Sequence, residues 1–276
     1  MKRSFRATLI DAINNHAEDY PNMVVLNADS ARALKLTEFS AEYPDRMFGV
    51  GISEADLVST AAGMATTGLI PIVVGFSMFV SEKPFEQIRQ AIAYPNLNVK
   101  IVATHAGLCV GQDGATHQAL EDIAVMRTLP NFKVFVASDV TETKAAVTAM
   151  LEHDGPAYLR LGRDLAEDIF EGSKTFVPGG ADVLTEGDDV TIAACGLMVE
   201  QALLAASALK KDGINATVIN AYSIKPLPEE LLVAQAKKTG AFVTAEDHSI
   251  IGGLGGAVCE YLSQTHPVPV IRIGVP

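Results

Sequence analysis

The chain has 276 residues, 49% of them apolar and 20% charged, a well-buried globular composition that suits two α/β domains or one large one. A formal net charge of -12 excludes a general nucleic-acid or anionic-membrane surface, since both need clustered Lys and Arg, but leaves room for phosphorylated small molecules read by a few local cations. No run approaches the ~18 consecutive apolar residues of a membrane span. The basic start Met1-Lys2-Arg3-Ser4-Phe5-Arg6 leads into an amphipathic stretch with Asp11 and Glu18 rather than an apolar signal core, so a cytoplasmic protein is expected.

From there, short β-branched runs alternate with longer helical patterns. Met23 to Asn27 reads as a strand, and an extended apolar segment at Phe48-Gly49-Val50 meets the start of a helix predicted over Glu54 to Thr67. Strands follow at Ile70 to Gly75, Val99 to Thr104, Lys133 to Ala137 and Ala157 to Leu161, with helices at Glu86 to Ala93, Ala119 to Arg127 and Glu142 to Glu152 between them. This is the βαβ rhythm of a mostly parallel sheet covered on both faces, placed in residues 1–165. The pattern then dissolves into charges, glycines and a proline, which predicts a linker over 166–188. Residues 189–276 restart the rhythm: strands at Val190 to Cys195, Ala216 to Asn220, Ala241 to Ala245 and Val270 to Ile273, and helices at Val199 to Lys211, Glu229 to Thr239 and Leu254 to Leu262. The fold class is therefore α/β, with two doubly wound domains, the second smaller.

Polar groups gather where strands end, the edge at which α/β proteins place their ligand crevices. Glu54 stands at one such junction; its structural reading is an acid that complements the dipole at a helix start. The segment His105 to Gln118 follows another strand and holds His105, Asp113 and His117 among three glycines. Its histidine spacing matches no recognised metal-ligand pattern, so general acid/base work or recognition of hydroxyls and phosphates suits it better. Phe76 and Phe79 leave the strand at Ile70 and could wall a ring-shaped pocket, although ordinary core is the simpler account of their spacing. Asp29 follows the first strand, and Arg160 and Arg163 offer guanidinium forks that match phosphate oxygens. Cys109, Cys195 and Cys259 are far apart and show no metal or disulfide spacing.

Gly51-Ile52-Ser53-Glu54, the Phe76 to Phe79 loop and above all Gly111-Gln112-Asp113-Gly114-Ala115-Thr116-His117-Gln118 resemble the pyrimidine-binding domain of transketolases. The second unit, with Pro226-Leu227-Pro228 and Glu246-Asp247-His248 ahead of Gly252-Gly253-Leu254-Gly255, resembles the transketolase C-terminal domain. The GDG motif and downstream Asn of the diphosphate-binding domain have no counterpart here, so the chain resembles the small subunit of a split, two-chain transketolase.

The resemblance implies thiamine diphosphate as cofactor, with Mg²⁺ or Ca²⁺ held mainly by a larger partner subunit, and transfer of a two-carbon ketol unit from a ketose phosphate to an aldose. It implies self-association as the central pair of a heterotetramer. It also gives each residue a role. Glu54 would bond the ring nitrogen of the aminopyrimidine and promote loss of the thiazolium C2 proton. Phe79 would stack on the pyrimidine with Phe76 beside it, and Asp29 would lie near the thiazolium. His105 and Arg163 would bind the acceptor's phosphate, Asp113 would read the hydroxyl next to the donor carbonyl, and His117 a neighbouring hydroxyl. Two departures stand out: Ala33 replaces a phosphate-holding serine, and Glu82 replaces a tyrosine after the Phe pair.

Three rivals compete. A deoxyxylulose phosphate synthase half shares the thiamine site and a similar histidine loop but fits His105 less well, and the β subunit of a 2-oxo acid dehydrogenase fits the loop at Asp113 to Gln118 poorly. A catalytically silent partner or regulatory module is the non-enzyme reading, since fold does not imply function; retention of Glu54, His105, Asp113 and His117 together speaks against it. The glycine run at Gly252 is weak evidence for nucleotide binding and reads better as the start of a closely packed helix.

Overall fold

A computed structural model describes residues 3–163 and 165–276; Met1 and Lys2 of the basic start lie outside the described residues. In chain order, β1 (Arg3–Ser4) leads into α1 (Phe5–His16), capped by Ser4, whose hydroxyl accepts from the Ala7 amide. β2 (Met23–Asn27), α2 (Thr37–Glu42), β3 (Met47–Gly49), α3 (Glu54–Ala65), β4 (Ile70–Phe76) and the short α4 (Ser77–Ser81) follow. The helix predicted over Glu86 to Ala93 is α5 (Phe85–Gln87) continued by a π-helical turn, Ile88–Ala93. Then come β5 (Lys100–Thr104), α6 (Asp122–Thr128), β6 (Lys133–Val136), α7 (Val140–Glu152), β7 (Ala157–Arg160) and β8 (Leu165–Ala166). The second unit contains β9 (Asp182–Thr185), β10 (Val190–Ala194), α8 (Met198–Lys211), β11 (Ala216–Asn220), β12 (Ser223–Lys225), α9 (Glu229–Thr239), β13 (Phe242–Ser249), α10 (Leu254–Thr265) and β14 (Val270–Val275).

Among the described residues, seven strands form the first sheet in the order β12-β6-β7-β5-β4-β2-β3, parallel except for β12. Alternation along each strand splits its side chains between two faces. Met23 and Val25 join Ile72, Val74 and Val102 under α1 and α7. Val24 and Leu26 join Val73, Ile101 and Ala103 on the opposite face, against Leu57 and Val58 of α3 and Ile123 of α6. Burial on both faces is why these strands read as continuous apolar runs.

The second sheet has the order β14-β13-β10-β11-β9. β9 lies within the segment expected to be linker, and pairs antiparallel with β11. Ile192, Ala194 and Val218 face α8, while Ala193, Cys195 and Ile219 lie in a second cluster with Leu232 and Ala236 of α9 and Leu254 and Val258 of α10, which is continuous with the first domain's core. β12 departs furthest from the sequence reading: it follows β11 of the second sheet yet pairs antiparallel with β6, closing the outer edge of the first. No helix of the described residues is long and apolar enough to cross a membrane.

Candidate active site

The crossover of a doubly wound sheet leaves the C-terminal ends of β2, β3, β4 and β5 side by side, and the loops there carry the predicted residues. After β2, the Asn27 side chain accepts from the Ser30 amide at 3.1 Å and donates to Phe48 O at 3.3 Å, bracing the turn in which Asp29 takes φ +56°. Gly51, at φ +74°, turns the chain after β3 so that Glu54 opens α3. Glu54 is buried and accepts from Lys83 Nζ at 2.6 Å, whereas Lys83 is more than half exposed. The acid thus sits at a helix N-terminus, as the structural reading requires, and also lines a cavity.

That cavity has a volume of about 170 Å³ and is lined by Asp29, Ile52, Glu54, Gly75, Phe76 and Phe79 among others. Whole-ligand pockets run to ~300–1,000 Å³. The space therefore suits one ring of a larger molecule, with a carboxylate on its wall and aromatic faces beside it. Gly75 permits this shape, because a Cβ there would lie 2.2 Å from Val80 Cγ1.

Phe76 and Phe79 are near-parallel, 6.2 Å apart, and they meet the two histidines. Phe76 stacks on His105 at 4.0 Å, and Phe79 meets His117 edge-on at 5.1 Å. The aromatic wall is fixed from behind by Ser77, whose hydroxyl donates to Asp122 Oδ2 at 2.8 Å in a fully buried network. Tyr158 and Arg160 donate to the same carboxylate at 2.7 and 2.9 Å. Burial opposes its ionisation, but Arg160 and His248 outweigh that and hold Asp122 below the usual carboxylate range.

His105 is buried in a left-handed backbone conformation, φ +57°, with Nδ1 at 2.8 Å from Thr104 Oγ1. Burial lowers its pKa to about 4, reinforced by Arg6 and Arg163 and opposed by Asp113. A neutral imidazole offers one donor and one acceptor. Asp113 and Arg163 lie 3.5 Å apart, and Arg163 also donates to Val110 O, so the guanidinium braces the histidine loop.

Arg6 was missed. Its Nη1 donates to Ala33 O at 2.9 Å, while its buried Nε has no hydrogen-bond partner among the described residues. The sequence signal was a basic residue one position inside the first helix, read only as part of a basic start. With Arg163 it makes the His105 end of the site cationic in a chain of net charge -12. Glu82, behind Phe79 in sequence, is raised to about 7 by burial and by Glu121 and Asp122, and its Oε1 also lacks a partner among the described residues. Among those residues no three His, Cys, Asp or Glu side chains converge as a metal site.

A ring-sized cavity with a buried glutamate thus lies on an α/β sheet joined to a second α/β unit. Residues 1–168 match the family described as transketolase, pyrimidine binding domain, and residues 179–276 match transketolase, C-terminal domain. The chain belongs to the transketolase family, whose members depend on thiamine diphosphate. It is 42% identical over 270 residues to a 6-deoxy-6-sulfo-D-fructose transketolase subunit of Clostridium sp. (strain MSTE9), covering 98% of this chain and 84% of that protein. It is 39% identical over 248 residues to a 1-deoxy-D-xylulose-5-phosphate synthase of Desulfotalea psychrophila, covering 88% of this chain but 38% of that protein. A solved split-gene transketolase, an inactive β4 tetramer, superposes with a TM-score of 0.94 at 46% identity, covering 100% of this chain and 90% of that one.

Proposed function

We propose that this chain is the small subunit of a thiamine-diphosphate-dependent transketolase, which together with a larger subunit moves a two-carbon ketol unit from a ketose phosphate to an aldose. The observation that carries this reading is the buried Glu54 carboxylate on the wall of a ring-sized cavity faced by Phe76 and Phe79. An aminopyrimidine fits that donor set: Glu54 for its ring nitrogen, Phe79 and Phe76 for its faces. When bound, thiamine diphosphate would supply a nucleophilic carbon for the donor's carbonyl.

The chain's own residues do the rest. Glu54, which accepts from Lys83 in this structure, would hold a proton at the pyrimidine ring nitrogen. Phe76 and Phe79 keep water from that contact, which strengthens it. Asp29, on the cavity wall, would serve the thiazolium. Asp113 and His117 read sugar hydroxyls. His105 meets the phosphate as a neutral hydrogen-bonding group, with Arg163 and Arg6 supplying its counter-charge. The diphosphate and its Mg²⁺ or Ca²⁺ belong to the larger subunit, and self-association would place two copies of this chain at the centre of a heterotetramer.

The test is reconstitution. The purified chain alone should bind thiamine diphosphate weakly and transfer no ketol unit, and activity should appear on mixing with a separately purified diphosphate-binding subunit. Full transfer by the chain alone would overturn the reading. The identity shared with a deoxyxylulose phosphate synthase supports a second one. Use of a 2-oxo acid in place of the ketose phosphate as donor would favour that rival.

A further inference from the structure

The loop from His105 to Gln118 carries Asp113 and His117, and its foot is gripped from the second domain. Gly107, Gly111 and Gly114 all take positive φ, so the loop's own backbone dictates little of its path and external ties decide it. The Leu108 amide donates to Asp247 Oδ1 at 3.0 Å, across the seam from β13. Just before it, a Cβ added at Gly107 would lie 1.9 Å from Asp247 Oδ2, so the carboxylate occupies the space a side chain would need. Asp247 is itself held. Its backbone oxygen accepts from Arg160 Nη2 at 2.7 Å, and the same nitrogen reaches Ala119 O, just past the loop's exit, at 3.2 Å. The Gly107 amide also donates to Ala119 O at 3.0 Å, so entry and exit of the loop converge beside one guanidinium and one carboxylate.

We infer that Asp247 is a positioning residue for substrate recognition: it fixes the loop's departure at Gly107-Leu108 and thereby the placement of Asp113 and His117. The C-terminal domain thus shares in shaping a site built on the first sheet. The substrate consequence rests on the functional reading above; the loop contact does not.

Hydrogen exchange on the full chain tests the contact. Asp247→Ala should speed exchange across residues 106–118 about fivefold, the worth of one hydrogen bond, while β10 and β11 keep wild-type rates. Asp247→Asn, whose amide oxygen still accepts, should stay near wild type. Unchanged loop exchange in Asp247→Ala, or an equal rise throughout the second sheet, would overturn the inference. In the two-chain enzyme, with D-fructose 6-phosphate as the ketose phosphate probe, Asp247→Ala should raise KM about fivefold and leave kcat and thiamine diphosphate affinity unchanged. Asp247→Asn should restore KM. A loosened loop with an unmoved KM would also overturn it. Absence of thiamine-dependent transfer in the wild type would instead count against the functional reading, and exchange would still decide for or against the positioning role.

Discussion

At the scale of single residues, Glu54 combines burial with a cation that can leave. Lys83 satisfies the carboxylate from an exposed position, where an ion pair is worth at most about 1 kcal/mol. Glu54→Gln should therefore shift the melting temperature by no more than about 3 °C, while slowing thiazolium C2 proton exchange in the proposed two-chain enzyme by on the order of 100-fold or more, read by NMR in deuterated water. His105 makes a second prediction, with a definite sign. Its folded pKa of about 4 lies below the ordinary value of 6.5, so between those pH values the unfolded chain binds more protons and stability falls as pH drops. Urea unfolding at stepped pH should find His105→Gln spared that loss, on the order of 3 kcal/mol. Comparison with wild type is essential, because Glu82 and Glu142, both raised to about 7 and led by burial, contribute stability that is lost as pH rises from the ordinary carboxylate value through 7.

Residue types at strand ends made much of this site readable: Glu54, the Phe pair, Asp113 and His117 all stand where the βαβ pattern turns. Lys83 and Arg6 did not stand out, because an exposed lysine after a short helix and an arginine near the chain start carry no local pattern. Only the fold brings Arg6 to His105, 99 positions away in sequence.

Elements buried on both faces read well for the same physical reason: β2, β4 and β5 are continuous apolar runs with little alternative. Helix starts were less legible. α7 begins at Val140 because the Asp139 side chain accepts from the Glu142 amide at 2.7 Å, a cap that apolar periodicity alone places two residues late. α2 was invisible, being six residues with one buried side chain, Phe39. Periodicity also could not separate the π-helical turn at Ile88–Ala93 from an ordinary helix. β9 and β12 escaped because they are short antiparallel edges flanked by glycine or proline, and their partners, not their composition, make them strands. At this scale the Asp122 hub joins α4, α6 and β7. Asp122→Ala leaves Arg160 buried without its carboxylate, which should cost about 3–5 kcal/mol in chemical denaturation and loosen the Phe76-Ser77 wall.

Across the whole molecule, a buried lysine fastens the segment between the domains. Lys174 pairs with Glu142 of α7 at 3.5 Å and with Asp182 of β9, and its ammonium lies 4.3 and 4.6 Å from the Phe170 and Tyr222 ring centroids. Cations over aromatic rings gain when desolvated, and both carboxylates lose their counter-charge without it. Lys174→Met should lower stability by about 2–4 kcal/mol and open residues 167–181 to limited proteolysis before either sheet unfolds. Retained protease resistance would show that the segment is held by its apolar contacts instead.

The crossing of β12 bears on how such a protein could be recombined. A chimera joined at the expected linker would import the relative's second domain and, with it, the outermost strand of the recipient's first sheet. That strand's register on β6, Ser223 opposite Phe135 and Lys225 opposite Val134, would have to match a surface it had not evolved beside. Exchange of the two halves is therefore coupled: whatever varies along β6 must vary with Ser223–Lys225, and a graft that respects the fold keeps those three residues with the first domain even though they lie in the second.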